Sequence, residues 1–257
     1  MTNRAAVRAR RGRRGFWYAF AAGLLRPLLM ALTRRDWRGG EHLPDGGAVV
    51  VVNHVSHIDP LVFAHFLYDH GRLPRFLGKE VLFRVPFVGR VLRGAGQIPV
   101  FRESGNAADA YSAAVEAVRR GELVAFYPEA TLTRDPGLWP MVGKTGAARV
   151  ALETGAPVIP VAQWGPHVLL PPYAKRPHLL PRTTMHVWAG PPIDLSDLTG
   201  RKVDAAVLRE VTERIMAAIT GLLEEIRGEK APAVRFDPRQ SGLPRTGNPR
   251  RGDRRPA

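Results

Sequence analysis

Residues 48–60 read Ala48-Val49-Val50-Val51-Val52-Asn53-His54-Val55-Ser56-His57-Ile58-Asp59-Pro60. Five consecutive apolar residues, four of them β-branched, suit a strand buried on both faces, as in a parallel sheet covered by helices. The polar stretch that follows ends in Asp59-Pro60, a helix start: proline fits a first turn, where no backbone hydrogen bond is lost, and aspartate caps free N–H groups. Strand, polar loop and helix make the unit of an α/β domain, and reacting groups collect in such loops. Within this loop His54 and Asp59 stand five residues apart. On a regular helix they would sit about 140° apart around the axis, so they meet only if the loop folds back. Given that fold, the carboxylate orients the imidazole to act as a general base. The alternative is that Asp59 serves only as a cap.

Outward from this unit the alternation continues. Gln97–Phe101, Leu123–Tyr127, Val158–Ala162 and Thr184–Trp188 read as further strands, and Pro60–Tyr68, Ala107–Arg120, Lys144–Glu153 and Val203–Arg227 as helices. In the last of these, Val207, Val211, Ile215, Ile219, Leu222 and Ile226 recur at three- and four-residue spacing, which defines one apolar face for packing on the sheet. There is no internal repeat. With 257 residues, 45% of them hydrophobic, the chain has material for one sizeable core.

Charge is placed at the ends. Lys and Arg number 38 against 23 Asp and Glu, a net +15. Residues 1–15 hold six arginines and no acid, and residues 228–257 hold eight bases and three acids, leaving only +4 for the 212 residues between. The absence of cysteine excludes disulfides, thiolate chemistry and Cys-ligated zinc. Phe16–Leu32 is apolar but has only seventeen residues, interrupted by Arg26 and Pro27, where a span needs about 20. No small-residue cleavage site follows it, since Arg34, Arg35, Asp36 and Trp37 come next. The aromatic cluster Phe16, Trp17, Tyr18 and Phe20 behind six arginines reads as an interfacial anchor on anionic lipid, with a helix packed on its own domain as the other reading. The expected organisation is a basic disordered start over 1–15, a membrane-interface helix over 16–34, one domain over 35–228 and a basic disordered tail over 229–257.

Three later segments extend the loop chemistry: Gly96-Gln97-Ile98-Pro99-Val100-Phe101-Arg102, then Tyr127-Pro128-Glu129-Ala130-Thr131, then Val158-Ile159-Pro160-Val161. With Asn53-His54-x-Ser56-x-x-Asp59 they resemble the four ordered blocks of the glycerophospholipid acyltransferase family, to which the lysophosphatidic acid acyltransferases belong. Gly78-Lys79-Glu80-Val81-Leu82-Phe83 resembles the stretch between that family's first two blocks, and the likeness runs over about residues 37 to 195. The resemblance implies a single-domain α/β fold with a mixed central sheet flanked by helices, an O-acyltransferase reaction, and no cofactor and no metal. It implies acyl-CoA or acyl carrier protein as donor and a lysophospholipid as acceptor, above all 1-acyl-glycerol-3-phosphate, in phospholipid biosynthesis at the cytoplasmic face of the cell membrane. His54 then takes the acceptor's proton and Asp59 fixes the imidazole tautomer. Asn53, Ser56, Lys79, Arg102, Glu129 and Thr131 match positions that shape or grip the acceptor, the basic pair holding its phosphate. Two positions depart from the pattern: Ala130 stands where the family more often has Gly, and Leu132 where it more often has Arg. Arg134, two residues on, is the candidate replacement for that phosphate contact, and another lysolipid or a glycolipid is the alternative acceptor.

Two other classes compete. His54, His57 and Asp59 suit zinc or manganese, but the other histidines form no complementary motif for a metal-dependent hydrolase. Ser56 lacks the glycine-flanked elbow of a nucleophile. The basic ends suggest nucleic acid, yet the near-neutral interior carries no helix-turn-helix, zinc-finger or RNA-recognition signature, so no nucleic-acid partner is expected.

Overall fold

A computed structural model of the chain describes residues 15–100, 107–198 and 200–242. The basic start at residues 1–14 and Arg102 lie outside the described residues. In chain order the elements are α1 (Phe16–Leu32), β1 (Thr33–Arg38), β2 (Ala48–Val52), α2 (Asp59–Asp69), β3 (Pro74–Lys79), α3 (Glu80–Arg84), α4 (Pro86–Gly94), β4 (Ile98–Val100), α5 (Ala107–Arg119), β5 (Leu123–Phe126), α6 (Gly146–Thr154), β6 (Val158–Trp164), α7 (Pro166–Leu169), β7 (Thr183–Ala189) and α8 (Ala205–Arg227).

The strands form one mixed sheet in the order β1-β7-β6-β2-β5-β3-β4. The five strands from β6 to β4 run parallel. β7 opposes β6, and β1 runs alongside β7. Five C-terminal strand ends therefore share one edge, the place where α/β folds carry their chemistry.

The valine run of β2 lies at the centre, and all five of its residues are fully buried. Because successive strand side chains face opposite ways, Val49 and Val51 enter a layer with α5, α6 and α8, while Ala48, Val50 and Val52 meet Val62, Phe63 and Phe66 of α2. Helices thus cover both faces, which is why this strand tolerates no polar residue before Asn53. The expected α8 face is present: Val207, Val211, Ile215 and Ile219 are buried. That helix starts at Ala205 rather than Val203, because Asp204 caps it, accepting from Ala206 N at 2.8 Å and Val207 N at 2.9 Å.

Several elements differ from the sequence reading. β1 was not foreseen: its Thr-Arg-Arg-Asp-Trp-Arg sequence lacks strand hydropathy, and its pairing to one neighbour at the sheet edge leaves Arg34 and Arg35 exposed. The boundary drawn at residue 34 falls inside this strand, so α1 runs directly into the sheet. β3 and the α3–α4 hairpin were also unforeseen. Of the tail, residues 229–242 are described and residues 243–257 lie outside the described residues. Ala231 N donates to Glu224 Oε1 at 2.8 Å, Val142 N donates to Phe236 O at 3.0 Å, and Arg235 pairs with Glu213, so backbone hydrogen bonding holds a segment whose composition alone reads as disordered.

Arg26, which interrupts the apolar run of α1, turns inward. Its Nε and Nη2 donate to Asp69 Oδ1 at 3.1 and 3.0 Å, while Arg35 Nη1 and Trp37 Nε1 donate to Asp69 Oδ2 at 2.9 and 3.1 Å. Burial raises the Asp69 carboxyl, but the Trp37 and Arg26 hydrogen bonds together with the charges of His65 and Arg26 outweigh it and hold the group below its ordinary value. Phe16, Phe20, Leu24 and Leu28, four residues apart, stay exposed on the outer side of α1. Among the described residues no helix is long and apolar enough to cross a membrane.

Candidate active site

His54 and Asp59 meet. His54 Nδ1 lies 2.8 Å from Asp59 Oδ2 at the C-terminal end of β2. Asp59 is the first residue of α2 and is fully buried. It does not cap that helix. Its Oδ2 accepts instead from Val55 N at 2.6 Å and Ser56 N at 2.8 Å, so the loop wraps around the carboxylate it leads to. Burial pushes the Asp59 carboxyl up, and the imidazole and the two N–H groups oppose that shift. With Nδ1 engaged, Nε2 is the atom left to take a proton, on a ring that keeps 16% side-chain exposure.

The surrounding loops fix the imidazole. Glu129 is buried and uses both oxygens: Oε1 accepts from His54 N at 3.1 Å, and Oε2 accepts from Met141 N at 3.0 Å. Burial pushes its carboxyl up to about 8, against the pull of those two donors. Thr133 N donates to His54 O at 2.7 Å, so the loop after β5 clamps His54 from both backbone sides. On the other flank Asn53 interlocks with Gln163 at the end of β6. Asn53 Nδ2 donates to Gln163 O at 3.0 Å, Gln163 N donates to Asn53 Oδ1 at 2.8 Å, and Gln163 Nε2 donates to Asn53 O at 3.0 Å. The Ser56 hydroxyl, fully buried, donates to Leu170 O at 2.7 Å.

The side-chain polar atoms of Asn53, Ser56 and Glu129 all have internal partners, through which these three residues hold the loop in place. Lys79 ends β3 at the same sheet edge and is exposed. Its charge is felt at His57, which burial, His54 and Lys79 together hold below its ordinary value. Thr131 is half-buried, and Arg134 is buried in the loop that Glu129 ties to His54. Leu132 packs inward at 2% exposure. Ala130 adopts φ +57, a left-handed conformation that costs a side-chain-bearing residue about 1–2 kcal/mol and costs glycine little. The local geometry thus gives a physical reason for glycine at this position. Trp139 packs under Arg227, whose guanidinium lies 3.9 Å from the ring centre, and is a structural residue.

Sequence reasoning passed over Tyr127. Its ring stacks on the His54 imidazole, centroids 4.2 Å apart and planes 29° apart, and Phe76 stacks behind it at 6.4 Å. Burial, with the Asp59 charge, pushes its phenol far above the ordinary value. Gln163 was missed as well. A glutamine closing an otherwise apolar strand was the available signal for it. Among the described residues no group of three or more His, Asp or Glu is arranged to hold a metal ion.

The acyltransferase family profile matches residues 34–164, just over half of the chain. A chloroplastic 1-acyl-sn-glycerol-3-phosphate acyltransferase of Brassica napus, BAT2, is 32% identical over 141 residues, which cover 54% of this chain and 39% of that protein. A 1-acyl-sn-glycerol-3-phosphate acyltransferase of Borreliella burgdorferi is 36% identical over 125 residues, 48% of each chain. The aligned part thus spans less than half the length of these relatives. In fold, the chain resembles the 1-acyl-sn-glycerophosphate (LPA) acyltransferase PlsC from Thermotoga maritima, with a TM-score of 0.65, 22% identity, and coverage of 83% of this chain and 81% of that one. With a match that spans the strand, loop and helix bringing His54 to Asp59 and covers more than half of its residues, the chain belongs to the acyltransferase family.

Proposed function

We propose that the protein moves a fatty acyl group from a thioester, carried by coenzyme A or acyl carrier protein, to the free hydroxyl of 1-acyl-glycerol-3-phosphate, giving phosphatidic acid. The observation that carries this reading is the 2.8 Å contact between His54 Nδ1 and Asp59 Oδ2 at the sheet edge. His54 Nε2 takes the hydroxyl proton as the oxygen attacks the thioester carbonyl. The new C–O bond forms, the C–S bond breaks, and the imidazolium returns the proton to the departing thiolate. Asp59 keeps the imidazole in the reactive tautomer and steadies its charged form, the logic of the hydrolytic triad with the acceptor hydroxyl in place of serine. General-base assistance of this kind supplies roughly 10² to 10⁴ in rate, and positioning supplies much of the rest. Lys79, Arg102 and Arg134 serve the acceptor phosphate, and Thr131 contributes to binding the acceptor.

The same reading places the protein on the cytoplasmic face of the cell membrane, held by the exposed stripe of α1 without crossing. Its inward-turned Arg26 supports this, because the outer side of the helix is left apolar. A second acceptor class, another lysolipid or a glycolipid, is favoured by one feature, the buried Leu132 at a position where a phosphate-binding arginine is more usual.

Incubating the protein with labelled acyl-CoA or acyl carrier protein and a panel of lysolipids, then separating the products, tests both. Labelled phosphatidic acid is expected. Acylation of a neutral acceptor alone would move the assignment to the second class, and release of free fatty acid alone would overturn the transferase reading.

A further inference from the structure

The hairpin formed by α3 and α4 leaves Val81, Leu82, Val85, Phe87 and Val88 exposed, five large apolar side chains within eight residues, with Phe87 at 56%. Apolar surface this concentrated marks a contact site rather than ordinary solvent-facing surface. The hairpin is also well built. Phe83 is buried under Gly78, and Gly89 lies so close to the Phe83 carbonyl that a Cβ there would come within 2.0 Å of it, so only glycine lets α4 fold back on α3. Arg93 Nη1 ties the two helices by donating to Phe83 O at 2.6 Å. The exposed face is therefore presented by a fixed element.

Two features say what covers it. The hairpin with its leading residue carries four exposed cations, Lys79, Arg84, Arg90 and Arg93, against one acid, Glu80, which pairs with Arg84. Cations interleaved with exposed apolar side chains suit an anionic headgroup layer above acyl chains. The face is also continuous with the outer side of α1: Phe87 meets Trp17 and Phe20 edge to face at 6.5 and 5.9 Å, and Trp17 lies against Gly94.

We propose that the α3–α4 hairpin is a second lipid-docking element, which with α1 seats the protein on an anionic bilayer. This rests on the membrane reading of α1 and extends it. Lys79 stands at the hairpin's first turn, within electrostatic reach of His57 in the catalytic loop. Docking through the hairpin therefore sets the headgroup layer beside the site, and an anionic lysolipid passes from the bilayer to Lys79 and then to His54 without crossing bulk water.

Co-sedimentation of the full chain with vesicles of phosphatidylcholine, alone or mixed with phosphatidylglycerol, tests this. Leu82→Ser with Val88→Ser, neither of which touches α1 in the aromatic cluster, is expected to weaken binding to mixed vesicles about tenfold or more. Arg90→Glu should reduce the preference for mixed over pure phosphatidylcholine vesicles. Transfer to a monomeric short-chain acceptor should stay as in the wild type, while transfer to a vesicle-borne acceptor falls in step with binding. Wild-type sedimentation by the double variant would overturn the hairpin's role and leave that of α1 standing. Failure of the wild type to sediment would overturn both. Loss of self-association with unchanged vesicle binding would show that a second copy covers the face, and would also overturn the proposal.

Discussion

The imidazole of His54 lies against the ring of Tyr127 with 4.2 Å between centroids, and Phe76 backs the tyrosine in turn. A base must keep its nitrogen aimed at the acceptor, and an aromatic face beneath it restricts tilt while favouring the positive charge that develops. Tyr127→Phe keeps the stack, so it should retain most of the turnover. Tyr127→Ala should lower kcat about tenfold or more with KM little changed. Steady-state kinetics of the two variants check this, and equal loss in both would show that the hydroxyl, not the stack, matters.

Removing the base itself has a larger effect. His54→Ala should abolish transfer, and Asp59→Asn should lower kcat by roughly 10² to 10⁴. The asparagine cannot accept all three donors that converge on Oδ2 and no longer favours the reactive tautomer. Thermal melts alongside the kinetics separate lost chemistry from lost structure.

Glu129 makes stability depend on pH. Its carboxyl is raised in the folded protein from 4.5 to about 8. Between those values the unfolded chain has released a proton that the folded protein still holds, so this group's contribution to stability falls as pH rises from about 4.5 to about 8 and is level beyond. Each unit in that window is worth at most about 1.4 kcal/mol. Glu129→Gln removes this slope while leaving one of the two N–H groups poorly matched. Denaturant titrations of wild type and variant across pH 5 to 9 should show the difference between them narrowing as pH rises.

Ala130 is strained by its left-handed backbone. Ala130→Gly should raise the stability by about 1 kcal/mol, read as a higher denaturation midpoint at unchanged slope. A lower midpoint would mean that the alanine methyl contributes packing that outweighs the strain.

Much of the centre was legible because each level of the sequence agreed. The valine run, the loop and Pro60 gave strand, turn and helix in order, and the His54–Asp59 spacing sits where such a loop folds back. The edges were harder to read. β1 is built from Arg34, Arg35 and Asp36, whose polarity is compatible with an outermost strand, and hydropathy cannot distinguish that from a loop. At the site, residue type did not say which way a polar side chain turns. Nothing along the chain shows that Asn53, Ser56 and Glu129 pair with Gln163, Leu170, Met141 and the His54 backbone in three dimensions. Tyr127 showed the opposite limit, since nothing along the chain signals a ring stacked on another.

α2 carries Asp59 at one end and Asp69 at the other. The first aligns the base, and the second is bolted by Arg26 to the helix proposed to lie on lipid. At about 1.5 Å per residue, the eleven residues of α2 make a rigid ruler of roughly 15 Å. The separation between the proposed base and the point where α1 is fastened is then a dimension of the protein, unaltered by loop motion, and lengthening or shortening α2 by a turn would change it.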